Sequence, residues 1–531
     1  MIQALLRLQA EKGWLDDGSL GGLAAERGVP LHVLQGLASF YTGFRREPPR
    51  QRRVEICRDL SCRLAGGAQA CAQVREALAE RDDVEIREVS CLGRCDRAPA
   101  ADLSGTTVRT TDIPELLAAL EGNPPTRDEP LGQWRAADPY SKPGERYGAL
   151  RCALAGDRER LPETLEEAGL RGMGGAAFPT GRKWKLVAST PEGPRHVIAN
   201  ADESEPGAFK DREILRQLPH LLIEGMALAG YAIGASRGTV FIRHEYGPER
   251  RVLEAALAEA RAAGALGHCI FGSTFDFEIE IFVSPGGYIL GEETALLECL
   301  EDRRGEPRNK PPFPGTSGLD GRPTLINNVE TFAHATGILY HGADWWHAQG
   351  RPGFSGHKFM SVSGDVEEAG VHLVAFGTPL GELLERCGGI RENRALLAVA
   401  PGGASSRFLG PEALDTPVDF QTFTDAGSML GAGAVVFVSE AQDLLEVGLS
   451  VTRFFRNESC GKCVPCRLGT EKAVKRVEAA GGIGEEDRPG LEELNQTLAR
   501  TSICGLGQIA LAPLLSLVDR FPEHMRGRRS R

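Results

Sequence analysis

The spacing of apolar residues changes along the chain, and each change marks a different kind of segment. From 1 to 48 the leucines recur at helical intervals, and glycine and proline turns divide this stretch into three short predicted helices. Residues 53–56 and 84–89 alternate like strands, and a helix is predicted over 68–79 between them. This order of strand, helix and strand predicts a small α/β module.

Glycine-rich turns separate strands and helices in the next part of the chain. Residues 196–200 and 238–242 are predicted to be buried strands, and residues 252–263 a helix, which together indicate a parallel, Rossmann-like sheet. Beyond residue 355, short strands and a single helix over 380–387 indicate a small α+β domain. From 438 onward the apolar spacing is helical.

These patterns predict an α/β multidomain protein. Its segments are a helical N-terminal segment over 1–48, an α/β module over 49–122, a linker rich in Pro, Gly, Asp and Arg over 123–145, a Rossmann-like domain over 146–335, a small α+β domain over 336–430 and a C-terminal helical region over 431–531.

Charge and hydropathy narrow the class of protein. The 531 residues carry a net charge of −12, which argues against a nucleic-acid surface, since such a surface needs clustered Lys and Arg. No apolar run reaches the ~18 residues of a membrane-spanning helix, and no signal peptide is visible. We therefore expect a cytoplasmic protein with reduced thiols and no direct membrane insertion, so the spacing of its 13 cysteines suggests metal binding.

The first cysteine group consists of two pairs, each directly after a predicted strand. Cys57 and Cys62 form one pair, and Cys91 and Cys95 form the other. Four thiolates can hold a [2Fe–2S] cluster, because soft sulfur ligands suit iron. A zinc site or plain thiols are the alternatives, although zinc usually shows narrower CxxC pairs. Cys71 lies on the intervening helix and is expected to be structural.

The second cysteine group lies in the C-terminal helical region. Cys460, Cys463 and Cys466 form a CxxCxxC motif, and Cys504 supplies a distant fourth thiol. Three close ligands and one remote ligand are the pattern that holds a cubane cluster. The spacing therefore predicts a [4Fe–4S] cluster.

Several stretches of the Rossmann-like segment combine glycines with polar or aromatic side chains. Residues 169–184 contain glycines that let the backbone approach a phosphate or a flat ring closely. In that stretch Lys183 can neutralise phosphate charge and Phe178 can stack on a ring. Polar residues over 200–207 follow a predicted strand, at the end where open α/β sheets bind ligands. Further acidic, amide and aromatic groups occur over 286–294 and 310–331.

These motifs resemble known families. Cys57-Arg-Asp-Leu-Ser-Cys62 and Cys91-Leu-Gly-Arg-Cys95, with Leu37-Ala-Ser-Phe-Tyr41 before them, resemble the thioredoxin-like [2Fe–2S] subunit of respiratory complex I over about residues 1–120. The glycine-rich, acidic and amide motifs and the CxxCxxC group resemble the NADH-binding flavoprotein subunit of complex I over about residues 146–520. The second resemblance implies a β-grasp fold for the small α+β domain.

The resemblance also implies roles for individual residues. The residues implied to line FMN are Gly172, Gly174, Asn200, Asp202, Tyr288, Gly291, Glu292, Asn327 and Asn328. Those implied to meet the nicotinamide dinucleotide are Phe178, Lys183, Glu205, Glu293, Lys310 and Phe313. Hydride transfer between nicotinamide and flavin requires no acid–base residue, so we expect no catalytic side chain beyond these binders. The sequence departs from the family at Ala177, where glycine is usual, and at Leu290, where cysteine is common.

The fusion of the two units suggests which complex the chain serves. Together with Gly172-Met-Gly-Gly175, the fusion most resembles the beta (diaphorase) subunits of NAD-dependent formate dehydrogenases. That resemblance implies a molybdenum- or tungsten-containing partner, with further iron–sulfur clusters, that oxidises formate while this chain reduces NAD⁺. The alternatives are a diaphorase subunit of an NAD-linked hydrogenase, a fused NADH dehydrogenase subunit of complex I, and an electron-carrying scaffold without flavin. The nucleotide motifs argue against the scaffold.

Overall fold

The chain folds around three small β-sheets, each of them four-stranded. The structure is a computed structural model, and it describes residues 1–103, 105–123, 134–191 and 193–526. Within those ranges no helix is both long enough and apolar enough to cross a membrane. The fold is a multidomain α/β arrangement, as the sequence predicts.

The N-terminal part contains the three predicted helices followed by the first sheet. The helices are α1 (Ile2–Lys12), α2 (Asp17–Arg27) and α3 (Leu31–Phe40). The module that follows consists of β1 (Arg52–Cys57), α4 (Leu60–Leu64), α5 (Gly67–Ala77), β2 (Val84–Val89), β3 (Ala100–Leu103), β4 (Thr106–Arg109) and α6 (Ile113–Leu120). The sheet order is β2-β1-β3-β4, with β1 parallel to β2, so the two predicted strands are adjacent.

The predicted linker is only partly a linker. Residues 124–133 lie outside the described residues, whereas 134–145 pack onto the domain that follows. Trp134 is buried against Phe359, and the Tyr140 hydroxyl donates to the buried Glu224 carboxylate at 2.8 Å. The composition of this stretch suggested a free linker, but its aromatic side chains bury enough surface to fix its second half.

The second sheet is fully parallel, with the order β7-β6-β5-β8. Its domain comprises α7 (Gly148–Ala155), α8 (Arg160–Glu167), α9 (Thr180–Ala188), β5 (His196–Ala201), α10 (Lys210–Gln217), α11 (Pro219–Ile233), β6 (Arg237–Arg243), α12 (Gly247–Ala262), β7 (Glu278–Ser284), α13 (Glu293–Leu300), β8 (Thr324–Asn328), α14 (Val329–His341) and α15 (Ala343–His347). The prediction of an open parallel sheet is confirmed.

Both faces of this parallel sheet are covered. Val197, Ala199 and Val240 belong to one apolar core, which extends into the next domain. Ile198 and Phe241, which point to the opposite face, pack in a second core with the N-terminal and C-terminal helices. Burial on both faces explains why β5 and β6 appear in the sequence as continuous apolar runs.

The third sheet is mixed, with the order β10-β9-β12-β11. Its domain contains β9 (His357–Gly364), β10 (Gly370–Ala375), α16 (Leu380–Arg386), β11 (Leu396–Ala400), α17 (Phe420–Asp425) and β12 (Ala434–Ser439). Strand β12 pairs in parallel with β9 in the middle of the sheet, although the predicted boundary at 430 placed it with the C-terminal helices. Apolar spacing does not show which sheet a strand joins, and the domain boundary at 430 stays a prediction.

The remaining residues are helical. They form α18 (Leu444–Asn457), α19 (Val464–Ala480), α20 (Arg488–Thr501), α21 (Gly505–Ile509), α22 (Ala512–Arg520) and α23 (Pro522–Met525). The loop between α18 and α19 and the start of α21 carry the second cysteine group.

Candidate functional site

The carboxyl ends of the parallel strands bring together the polar residues that the sequence places after them. Asn200 lies near the end of β5, Asn328 ends β8, and Tyr288 follows β7. The Asn200 amide nitrogen donates to the Gly291 carbonyl at 2.9 Å, which ties the end of β5 to the loop after β7. Residues from three strands therefore share one edge of the sheet, where open α/β sheets bind ligands.

The glycine-rich loop lies against this edge. The Met173 backbone N–H donates to the Thr331 hydroxyl at 2.9 Å, and the Lys358 ammonium donates to the Met173 carbonyl at 3.0 Å. Gly174 packs so closely on Asn328 that a Cβ at position 174 would lie 3.0 Å from the Asn328 Cβ. The loop is thus fixed by the start of α14 on one side and by β9 on the other.

A buried ionic network supports Asn328. Its amide nitrogen donates to Asp211 at 2.6 Å, and Lys210 pairs with Asp211 at 2.6 Å and with Glu330 at 2.8 Å. Burial disfavours the charge of Glu330, but Lys210 and Lys358 outweigh it and hold the pKa of Glu330 well below its ordinary value. Burial lowers the pKa of Lys358 to about 8. The sequence interpretation missed Lys210, Asp211 and Lys358, because nothing in their local pattern marks charged residues that become fully buried.

Two residues at this edge have the chemistry that a flavin needs. Asn327 is buried, and its side-chain oxygen has no hydrogen-bond partner among the described residues. An unpartnered buried acceptor is costly unless a ligand satisfies it. Burial raises the pKa of Asp202 to about 7, which favours the protonated carboxyl, the form that can also donate a hydrogen bond. Both groups fit the hydroxyl-rich side chain and polar ring edge of FMN.

The predicted nicotinamide residues form a second group beside the first. Lys310 pairs with Glu292 and with Glu293, each at 2.9 Å, and Lys183 lies 3.5 Å from Glu293. The aromatic rings of Phe178 and Phe313 stand nearby in sequence and are 42% and 58% exposed. Exposed aromatic rings suit the stacking of a flat ring, and lysine ammonium groups suit the binding of a phosphate.

Glu205 lies elsewhere, with Tyr288. The Tyr288 hydroxyl donates to Glu205 at 2.7 Å, and the Ser405 backbone N–H donates to the other carboxylate oxygen at 2.7 Å. Burial raises the pKa of Glu205 to about 7. The Tyr288 ring packs edge-on against Phe454 of α18 at a centroid distance of 4.9 Å. The structure therefore joins Glu205 to a predicted FMN residue rather than to the cluster of lysines and glutamates around Glu293.

The first cysteine group is gathered at one end of β1 and β2. The sulfur atoms of Cys91 and Cys95 are 3.7 Å apart, and contacts with Cys62 and Cys91 raise the pKa of Cys57 well above its ordinary value. Backbone N–H groups of Gly93 and Ala100 point at the sulfurs of Cys91 and Cys62, each at 3.4 Å. All four thiols are buried, and N–H donors aimed at sulfur suit thiolates that hold iron. Cys71 instead contacts Glu88 at 3.6 Å, which agrees with a structural role.

The second cysteine group lies at the helix ends of the C-terminal region. Cys463 precedes α19, Cys466 lies in its first turn, and Cys504 precedes α21. Burial raises the pKa of Cys504 to about 12, and the charges of Glu292 and Cys460 add to that effect. Unlike the first group, Cys460, Cys463 and Cys504 are only partly buried.

Across the described ranges, no three His, Cys, Asp or Glu side chains converge closely enough to hold one metal ion. A cluster requires a wider set of sulfurs, because its ligands bind different irons.

Three family models match the chain. They describe a thioredoxin-like [2Fe-2S] ferredoxin over residues 1–122, the Nuo51 FMN-binding domain over 165–336 and the NADH-ubiquinone oxidoreductase-F iron-sulfur binding region over 446–528. These three matches follow the order of the first module, the parallel sheet and the C-terminal helices.

Individual relatives agree with the family models. The F subunit of the NADH-quinone oxidoreductase of Aquifex aeolicus is 40% identical, over 77% of this chain and 95% of the relative. The alpha subunit of the NAD-reducing hydrogenase HoxS of Cupriavidus necator is 34% identical, over 98% of this chain and 91% of the relative. Among solved structures, the NAD⁺-reducing [NiFe]-hydrogenase in the H₂-reduced state superposes with a TM-score of 0.86 at 32% identity, covering 98% of this chain and 92% of the other.

The matched models and relatives agree with the geometry of the site. The cofactors are FMN, NAD, a [2Fe–2S] cluster and a [4Fe–4S] cluster. The activity is that of an NAD-dependent oxidoreductase. The chain therefore belongs to the family of the NADH-quinone oxidoreductase F subunits, the NADH-binding iron–sulfur flavoproteins that also include the alpha subunit of NAD-reducing hydrogenase.

Proposed function

We propose that the carboxyl edge of the parallel sheet is a diaphorase site, at which Asn200, Asp202, Asn327 and Asn328 hold FMN against the glycine-rich loop. When bound, FMN supplies the exchange between two-electron hydride chemistry and single-electron transfer. The side chains bind and orient the two cofactors, and none has to donate or accept a proton. Phe178 and the half-buried lysine–glutamate cluster around Glu293 receive the nicotinamide dinucleotide beside it.

The observation that carries this proposal is the position of the site between the two cysteine groups. Glu458, just before the CxxCxxC motif, accepts a hydrogen bond from the Tyr288 backbone N–H at 2.8 Å. Its other carboxylate oxygen accepts one from Ser90, the neighbour of Cys91. A predicted FMN residue and both cysteine groups thus meet through one carboxylate, which suits electron transfer between flavin and clusters.

We assign each cysteine group to one cluster. Cys57, Cys62, Cys91 and Cys95 hold the [2Fe–2S] cluster, and Cys460, Cys463, Cys466 and Cys504 hold the [4Fe–4S] cluster. The second group is partly exposed, whereas the first is buried. Because electron transfer to another protein needs a cluster near the surface, the second group is the proposed exit toward a partner subunit.

The partner is proposed from the fusion of the modules. The similarity to the hydrogenase alpha subunit runs over 98% of this chain, which supports a partner of the hydrogenase type. A molybdenum- or tungsten-containing formate-oxidising partner, with this chain reducing NAD⁺, is the alternative favoured by the sequence around Gly172 to Gly175. Purification of the intact complex followed by metal analysis distinguishes the two: nickel identifies the first, and molybdenum or tungsten the second.

The middle domain is proposed to have a β-grasp fold. Its two antiparallel pairs, β9 with β10 and β11 with β12, join through parallel pairing of β9 and β12, and α16 lies between the pairs in sequence. This connectivity supports the assignment of a β-grasp fold. It supports a domain over about 336–440, with the other predicted boundaries retained.

Substitution of Cys463 tests the electron path. In Cys463→Ala we expect the electron paramagnetic resonance signal of the [4Fe–4S] cluster to disappear, while NADH still reduces an artificial dye that accepts electrons at the flavin. Electron transfer with the partner should fall at least a hundredfold. Cys387→Ala, which removes a buried cysteine outside both groups, is the control and should change none of these. Partner-linked turnover that survives in Cys463→Ala would remove this cluster from the path.

A further inference from the structure

The loop that carries Cys91 and Cys95 is held by the flavin-binding domain as well as by its own module, where the Asp59 carboxylate accepts the Cys91 backbone N–H at 2.7 Å. Arg243, at the end of β6, donates from Nη2 to the Cys91 carbonyl at 2.5 Å and from Nη1 to the Glu203 carbonyl. Its remaining donors reach the Glu245 carboxylate at 2.8 and 3.0 Å. Arg243 is only 2% exposed, so its charge acts inside the protein.

A second guanidinium from the same domain reaches the same loop. Arg212, in the first turn of α10, donates to the Gly93 carbonyl at 3.0 Å and pairs with Asp96 at 2.9 Å. Phe209, just before α10, packs against Cys91 and Cys95. Both cations are buried and both donate to backbone carbonyls of a single short loop, and neither belongs to the module that contains the loop.

We propose that Arg243 and Arg212 are positioning residues that clamp the Cys91–Cys95 loop onto the flavin-binding domain and raise the reduction potential of the [2Fe–2S] cluster. Reduction adds one negative charge near the loop, and a buried positive charge stabilises that state more strongly than it would in water. Hydrogen bonding and charge around a cluster are established means of setting its potential. The inference rests on the proposed assignment of these cysteines as ligands.

The acidic partners of the two arginines allow a test that depends on the direction in which the reduction potential shifts. Glu245 opposes the charge of Arg243, as Asp96 opposes that of Arg212. If the arginines act electrostatically, removal of Arg243 and removal of Glu245 must shift the potential in opposite directions. If they only hold the loop in shape, Arg243→Gln loosens the loop, whereas Glu245→Gln keeps the Arg243 contact to the Cys91 carbonyl and should leave the potential unchanged.

The experiment is a redox titration of the holoprotein followed by electron paramagnetic resonance. In Arg243→Gln we expect the [2Fe–2S] midpoint to become more negative by about 59 mV, a tenfold change in the one-electron reduction equilibrium. In Glu245→Gln, where the guanidinium remains, we expect a shift to more positive potential. The [4Fe–4S] midpoint in the same sample is the internal reference and should stay constant. Arg45→Gln, which removes a mostly buried arginine paired with Glu85 of β2, is the matched control and should leave both midpoints unchanged.

The measured shifts either support or contradict the proposed electrostatic role of the arginines. Opposite shifts of the [2Fe–2S] midpoint in the two variants support the proposal that the buried arginines raise its potential. Unchanged midpoints, or shifts of the same sign, overturn that proposal. If Arg243→Gln fails to fold, Glu245→Gln decides by itself, because an unchanged midpoint there also overturns the proposal. A wild-type protein without a [2Fe–2S] signal would instead refute the ligand assignment, which separates that failure from a failure of the clamp.

Discussion

At the scale of single residues, Glu293 illustrates how a predicted role depends on neighbours that the sequence does not show. We expect a carboxylate here to accept hydrogen bonds from ribose hydroxyls and to repel a 2′-phosphate. In the structure Glu293 also pairs with Lys183 and Lys310. Burial opposes its ionisation, yet the two lysines hold its pKa below the ordinary value, so it is charged at neutral pH.

The first prediction concerns nucleotide choice. Glu293→Gln should remove the repulsion and release Lys183 and Lys310 toward a 2′-phosphate. The ratio of kcat/KM for NADH to that for NADPH should then fall about tenfold, equivalent to about 1.4 kcal/mol. Glu298→Gln is the control, because Glu298 lies on the same helix but pairs with Arg303 and Arg308. A wild type already efficient with NADPH, or an unmoved ratio, would place Glu293 away from the ribose.

A second prediction at this scale concerns Ala177, where the family usually has glycine. Its φ is +53°, a left-handed conformation that costs an alanine roughly 1–2 kcal/mol. Ala177→Gly should relieve that strain, but glycine also loses more conformational entropy on folding. The net effect should be to stabilise the domain by up to about 1 kcal/mol. The measurement is the temperature at which heating releases fluorescent flavin. The exposed neighbour Ala176 has no positive φ, so Ala176→Gly should lower this temperature, and equal effects of the two changes would contradict the argument.

At the scale of elements, the contact between α11 and α14 positions residues that are predicted to line FMN. Helix α14 is capped by Asn328, whose side chain accepts the Glu330 backbone N–H at 2.9 Å, and its Thr331 anchors the glycine-rich loop. Helix α11 reaches α14 at Gly225, where a Cβ would lie 2.2 Å from the Phe332 carbonyl oxygen. The two helices can approach this closely only because position 225 has no side chain.

The third prediction follows from that contact. Gly225→Ala should force the helix backbones apart, destabilise the domain by about 1–3 kcal/mol and lower the FMN content of the purified protein. Thermal unfolding and flavin content after purification measure the two effects. Gly22→Ala in α2 is the control, because no atom lies within 4 Å of its added Cβ and a helical alanine is favourable. Normal flavin retention in Gly225→Ala would show that the spacing of α11 and α14 does not control the site.

At the scale of the whole molecule, the N-terminal helices are integrated with the flavin-binding domain. The Gly43 backbone N–H donates to the Pro285 carbonyl at 3.1 Å, next to the loop that leads to Tyr288. The Tyr41 hydroxyl donates to the Arg303 carbonyl at 2.5 Å. Leu5 and Leu34 share an apolar core with Phe454 of the C-terminal helices. The N-terminal helices are therefore packed against both the flavin-binding domain and the C-terminal helices.

The fourth prediction concerns the composition of that assembly. The purified holoprotein should contain a single FMN and about six irons per chain, two in the [2Fe–2S] and four in the [4Fe–4S] cluster. Iron analysis with flavin extraction measures both. Cys91→Ala should leave about four irons and Cys463→Ala about two, because each removes one ligand of a different cluster. Zinc in place of iron, or only four irons in the wild type, would contradict the assignment of a [2Fe–2S] cluster to the first cysteine group.

The sequence by itself determined the local elements and the cysteine groups. Strands β5 and β6 and helices α1 to α3 follow from apolar spacing, and the CxxCxxC motif follows from ligand spacing, because these features depend on residues close together in the chain. The order of strands in a sheet depends on long-range packing, so the place of β12 beside β9 was not predictable from its own residues.

Only the tertiary structure decided which distant charges meet. Arg243 reaches the carbonyl of Cys91, 152 positions away in sequence, and Lys358 reaches that of Met173, 185 positions away. In the sequence these are ordinary charged residues with no motif around them. Their roles become visible only when folding buries them. A buried cation needs hydrogen-bond or ionic partners, so its partners show which loop it holds.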